Sequence, residues 1–145
     1  MNLPQDPIFI VGYPRSGTTL LQRLLASQPG LYTFPETHYF CVTEKIITWA
    51  DDNENIPPGV LPDVYAKITE KMEVRFTIAE QESLQRQAAN KKLSSKLLFE
   101  TIVIHCLMNL YPSIKDLSSF RWIEKTPYHA NFLERIIAMY PNAQV

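Results

Sequence analysis

The residues Gly12-Tyr13-Pro14-Arg15-Ser16-Gly17-Thr18-Thr19 concentrate more reactive chemistry than any other stretch of the chain. Two glycines allow backbone paths closed to other residues, while Arg15 supplies a cation and Ser16, Thr18 and Thr19 supply hydroxyls. Backbone N–H groups at the start of a helix, with a cation nearby, make a cradle for an anion. Only four glycines occur against eleven prolines, so setting two of them here marks a backbone that needs them. Read without chemistry, the same glycines make a tight strand-to-helix turn. Three more residues attract attention: Glu36, His38 and Lys125. Taken alone, Glu36 is a surface loop acid, His38 a satisfied histidine in a helix's first turn, and Lys125 a strand-end lysine in solvent.

These residues need elements to hold them. Ile8-Phe9-Ile10-Val11 is a continuous apolar run between Pro7 and Gly12, as in a buried strand of a parallel sheet. Leu20, Leu21, Leu24 and Leu25 then repeat at helical spacing, and Pro29-Gly30 closes that helix. Strand, turn and helix in this order open an α/β unit. Residues 31–34 read as a second short strand and the polar stretch 51–62 as a loop. Residues 63–111 predict two or three helices. Residues 120–123 predict a strand, and 131–140 a helix with Phe132, Leu133, Ile136 and Ile137 on one face. The last residues, 141–145, read as a turn into a further strand. His105 is expected at the core or its rim, His129 as a capping or surface residue, and Lys91, Lys92 and Lys96 on a solvated helix face.

Composition narrows the function. The chain has 145 residues, 46% hydrophobic and 20% charged, which suits one globular domain. A net charge of −1 argues against a broad nucleic-acid surface. Cys41 and Cys106 are too few for a disulfide framework, and no histidine–carboxylate spacing suggests a metal site. No apolar run approaches the roughly 18 residues of a membrane span. No basic residue precedes the first apolar stretch, as it would in a secretory signal, so the expected setting is cytoplasmic.

The loop departs from the nucleotide triphosphatase pattern, in which the second glycine is followed by lysine. Thr18 stands there instead and Arg15 lies within the loop, so the grip on β- and γ-phosphates is missing. Pro-Arg-Ser-Gly-Thr-Thr after a strand resembles the 5′-phosphosulfate-binding loop of sulfotransferases that use 3′-phosphoadenosine 5′-phosphosulfate (PAPS). Pro35-Glu36-Thr37-His38-Tyr39-Phe40 resembles the Glu-x-His-Phe-Phe segment of glycosaminoglycan sulfotransferases, and the glutamate-bearing segment of tyrosylprotein sulfotransferases. Glu124-Lys125-Thr126-Pro127 resembles their Glu-Lys-Thr-Pro segment.

The resemblance implies a P-loop-like α/β fold, a three-layer parallel sheet flanked by helices, with PAPS at the C-terminal ends of the strands. It places Arg15, Ser16, Gly17, Thr18 and Thr19 on the co-substrate. Glu36 would be the base, with His38 its neighbour at the acceptor, and Arg15 and Lys125 would neutralise charge in an in-line transfer that needs no metal. Glu124 receives no chemical role. Acceptors would be small molecules, glycans or peptides bearing a hydroxyl or amine, with residues 51–117 shaping their pocket. The family reads the 3′-phosphate with an arginine and a serine after a strand that here has barely begun. Residues 1–145 are therefore expected to be the N-terminal part of one sulfotransferase domain, cut short before the sheet is complete. The isolated chain is then expected to be inactive and to associate through an open sheet edge. Two rival readings stand beside this one: a P-loop kinase or triphosphatase with a degenerate loop, and a truncated, non-catalytic nucleotide-binding or interaction module.

Overall fold

The structure, a computed structural model, describes residues 3–4, 6–46, 55–72 and 75–145. The chain divides into two compact units, one formed by residues up to Thr37 together with Cys106–Val145, the other by His38–His105.

The first unit holds a parallel sheet. Its elements are β1 (Ile8–Ile10), α1 (Thr18–Ala26), β2 (Leu31–Thr33), β3 (Arg121–Lys125) and α6 (Leu133–Met139). Among the described residues the strand order is β1-β3-β2, all parallel, with Ile10 opposite Lys125 and Thr33 opposite Ile123. The strand latest in sequence thus occupies the centre, and it is buried along Trp122, Ile123, Glu124 and Lys125. Both faces of the sheet are covered, as its uninterrupted apolar run requires. Ile8, Ile10 and Ile123 pack with Leu25, Ala26 and Leu31 on one side. Phe9, Trp122 and Tyr140 form an aromatic cluster with ring centroids 5.5–5.8 Å apart. Beyond β1, Gln144 makes a parallel bridge to Ile8: Phe9 N donates to Gln144 O (2.8 Å) and Gln144 N to Pro7 O (2.9 Å). The turn read from 141–145 therefore delivers the chain alongside β1.

The structure adds detail to two helices. In α1 most of the leucine repeat is exposed. Leu20, Leu21 and Leu24 are 63%, 48% and 58% exposed, whereas Thr18 is buried and Gln22 donates to Thr33 Oγ1 (2.6 Å) and Phe34 O (3.2 Å). Positions 18, 22, 25 and 26 share one helix face at i, i+4, i+7 and i+8, and that face, not the leucine stripe, meets β2 and the sheet. The last helix is also shorter than read: residues 127–132 form a 3₁₀ helix, and α6 begins only at Leu133. Its face is unevenly covered, with Ile136 buried and Ile137 53% exposed.

The second unit is helical: α2 (Tyr39–Ile46), α3 (Leu61–Met72), α4 (Ile78–Ala89) and the greater part of α5 (Ser95–Leu110), which runs on into the first unit's sequence. The rings of Tyr39, Phe40 and Phe99 pack together in edge-on and tilted contacts, and the Tyr39 hydroxyl donates to Ser95 O at 2.9 Å. A capping box starts α4, where Thr77 accepts from Glu80 N and Glu80 accepts from Thr77 N. Glu80 also holds His105 Nδ1 at 2.6 Å, and the His105 ring stacks on Phe76. Of the loop read at 51–62, residues 51–54 lie outside the described residues. Asn55 bridges Ser94, and a 3₁₀ turn over Pro58–Val60 leads directly into α3. No helix among the described residues is long and apolar enough to cross a membrane.

Candidate functional site

The first unit assembles the site from three chain segments that end at the same edge of the sheet. Between β1 and α1 the backbone is left-handed at Arg15 (φ 66°) and Gly17 (φ 89°). A Cβ at Gly17 would meet nothing within 4 Å, so glycine is required there by conformation rather than by space. Gly17 occupies the N-cap of α1, offers no side-chain acceptor to the helix, and is followed by no acidic residue in the first turn. The positive end of that helix thus carries neither a capping acceptor nor an acidic counter-charge of its own. Ser16 N donates to Tyr13 O (3.2 Å), and Gly12 N donates to Pro127 O (3.1 Å), which ties the loop to the end of β3. Arg15 and Ser16 are exposed and Thr18 is buried.

Lys125 closes β3 beside this loop. Its ammonium donates to Thr19 Oγ1 (3.3 Å) and pairs with Glu36 Oε1. The lysine side chain is 7% exposed and the glutamate 32%, so the cation is sealed while the carboxylate keeps an open side. Thr19, Glu36 and Lys125 therefore meet, from positions up to 106 residues apart in sequence. The solvent-facing lysine that Lys125 suggests when read alone is not what the fold builds. Arg15 is exposed on the loop. His38 lies in the other unit, with φ 51°, and its carbonyl accepts from Val42 N at the start of α2. An open cleft of about 640 Å³ runs along the loop, lined by Gly12, Tyr13, Arg15, Pro127, Tyr128 and Asn131 among others. A second, of about 530 Å³, is bordered by Thr19, Gln22, Arg23, Thr33 and Pro35.

Sequence reasoning missed a further cluster directly behind this one. Glu124 is wholly buried, and four donors converge on it. Thr126 Oγ1 (2.6 Å), Thr37 Oγ1 (2.9 Å) and Thr37 N (3.4 Å) donate to Oε1, and His129 Nδ1 lies 3.0 Å from Oε2. A carboxylate accepts only, so His129 carries its proton on Nδ1. His129, read as a capping or surface residue, is instead fully buried: the tight 3₁₀ turn after Pro127 carries its ring back beneath the strand end. Burial alone would raise the Glu124 carboxyl, but His129 and the hydroxyls of Thr126 and Thr37 hold it below the usual carboxylate value. A signal existed. Neighbouring strand residues point to opposite faces, so a glutamate beside a site lysine in a central strand must turn inward and find donors.

No group of three His, Cys, Asp or Glu residues placed to hold a metal occurs among the described residues. A strand, a glycine-bearing loop with an open helix end, and a lysine–glutamate pair beside it are an arrangement whose chemistry can favour an anion next to a carboxylate. The chain belongs to the sulfotransferase family, whose family model matches residues 7–145. A protein of Aquifex aeolicus (strain VF5), described only as uncharacterized, is 28% identical over 139 residues, covering 96% of this chain. The matched stretch is 15% of that relative, so this chain spans about one-seventh of its length.

Proposed function

We propose that this chain carries the sulfuryl-donor end of a PAPS-dependent sulfotransferase, with Glu36 as the acceptor's base. The observation that supports it most is the meeting of Lys125 with Glu36 and Thr19 beside the uncapped start of α1. The fit to a 5′-phosphosulfate is chemical: left-handed loop residues, an open helix N-terminus and Arg15 favour an anion, and no metal need join them.

In this reading Arg15, Ser16, Gly17, Thr18 and Thr19 hold the 5′-phosphosulfate. An acceptor hydroxyl or amine attacks sulfur in line. The new O–S or N–S bond forms as the bond to the bridging phosphate oxygen breaks, and adenosine 3′,5′-bisphosphate leaves. Glu36 takes the acceptor's proton through its open side. Lys125 and Arg15 offset negative charge as it builds, a positioning and electrostatic role that needs no covalent intermediate. Residues 1–145 then belong to one P-loop-like domain, with selectivity for the acceptor assigned to residues 51–117.

Thermal shift tests the donor site. Adenosine 3′,5′-bisphosphate is expected to raise the melting temperature without magnesium, and Arg15→Ala to weaken that binding by about 1.5–3 kcal/mol, the worth of a charge-assisted hydrogen bond. Stabilisation by ATP only with magnesium, and none by the bisphosphate, would replace this reading with a kinase or triphosphatase.

A further inference from the structure

Glu36 and Thr37 are consecutive, and so are Glu124 and Lys125. The two pairs meet twice: Glu36 with Lys125 toward the loop, and Thr37 with Glu124 in the interior. Residues 34–38, which carry Glu36, form neither helix nor strand; their backbone is tied at Phe34 O by Gln22 and at His38 O by Val42 N, with Glu36 and Thr37 between these ties. On the β3 side they are held by the Glu36–Lys125 pair and by the double grip of Thr37, by hydroxyl and by amide, on the Glu124 carboxylate. That carboxylate is itself buried and held from a second side. Thr126 and His129 also donate to it from the turn that follows β3, and all four residues are 0% exposed.

We propose that Glu124 is the positioning residue of the site: by clamping Thr37 it sets Glu36 against Lys125, and His129 and Thr126 keep the clamp rigid. The inference rests on the reading of Glu36 as base only for its catalytic consequence; the clamp itself is a claim about geometry. Opposite faces of one strand end divide the labour, the inner residue holding the segment and the outer one meeting the reacting group. A buried carboxylate with this many donors is costly to leave half satisfied, so removing Glu124 or the Thr37 hydroxyl should release the 34–38 segment rather than merely loosen one contact.

Two readouts decide the matter. Lys125 is sealed beside Glu36, so its rate of acylation by an amine-directed reagent, followed by peptide mass spectrometry, reports the pair without any turnover. Thr37→Val and Glu124→Gln are expected to raise that rate about tenfold or more, as loss of a charge-assisted hydrogen bond frees local opening. Thr37→Ser, which keeps the hydroxyl, should return it to near the parent value. Ile123→Val, a core change in the same strand that touches neither pair, should leave it within about twofold, which separates the clamp from general loosening. In the whole protein, Thr37→Val should lower kcat by about 10–100-fold with little change in KM for PAPS, as expected for a displaced base. Unchanged Lys125 labelling in both Thr37→Val and Glu124→Gln would overturn the clamp. So would equal labelling in Thr37→Ser and Thr37→Val. Absence of sulfate transfer by the parent protein, with the labelling pattern intact, would instead defeat the proposed function and leave the clamp standing.

Discussion

At the scale of the residue, the site depends on where one carboxylate and one ammonium are allowed to sit. Lys125 is 7% exposed and depends on Glu36 for its counter-charge. A lysine sealed from water without a partner is unfavourable, so the pair holds itself together as well as serving any reaction. Glu36→Gln keeps the shape and the hydrogen-bonding reach but removes the proton acceptor. With the whole protein and a proven acceptor, turnover from labelled PAPS is expected to fall by about 10²–10⁴-fold while affinity for adenosine 3′,5′-bisphosphate stays near the parent value. Near-normal turnover would assign the base elsewhere. Cys106 illustrates the opposite case. Burial pushes its thiol up to about 12, so it is an inert core residue and not a nucleophile.

At the scale of the element, the loop before α1 is held by conformation. Gly17 sits at φ 89° with open space where a Cβ would go. Gly17→Ala therefore meets no clash, and its cost is the left-handed backbone alone, about 1–2 kcal/mol of stability in urea denaturation. A larger loss would mean that the loop cannot relax around the new methyl. Gly12 differs: a Cβ there would lie 3.5 Å from Ser16 Oγ, ordinary contact, with a φ of 147° as the constraint. The α1 leucines carry a related lesson. Their helical spacing is correct for a helix, yet the face that meets the sheet is chosen by Thr18, Gln22, Leu25 and Ala26, because Gln22 satisfies the hydroxyl of Thr33 and the carbonyl of Phe34.

At the scale of the whole molecule, acid is the condition that should find the weak points. The carboxyls of Glu124 and Glu80 are both held below their ordinary value of 4.5. For Glu80, as for Glu124, burial pulls upward, but contacts with Thr77 and His105 outweigh it. A carboxyl lowered by folding contributes its stability fully above 4.5 and loses it as pH falls through the folded-state value. Urea stability is therefore expected to be level above that point and to decline below it. Glu124→Gln should start from lower stability but show a shallower acid limb, because one linked proton has been removed. An acid limb of unchanged slope would show that Glu124 does not contribute to it. The two carboxylates lie in different compact units, so Glu80→Gln should flatten the limb independently.

Much of this was legible in the chain itself, because it is governed by local rules. The apolar run of β1, the glycines of the loop and the order strand–turn–helix follow from side-chain period and backbone sterics acting over a few residues. The loop that carries Arg15 could be singled out for the same reason, whereas the segments of Glu36 and Lys125 stood out only by their resemblance to sulfotransferase segments. Their meeting could not be read from the sequence. Glu36 and Lys125 are 89 residues apart, and Thr37 and Glu124 are 87 apart. They come together only because β3, the last in sequence of the three strands among the described residues, inserts between β1 and β2. The buried cluster of Glu124 and His129 was misread for a related cause. A lone glutamate or histidine in sequence defaults to solvent, and only a central strand with both faces covered obliges such a carboxylate to gather its donors. Propensity and period decide where the elements lie. The pairing order of the sheet decides which side chains face one another, because that order is settled by burial and hydrogen bonding across the whole unit.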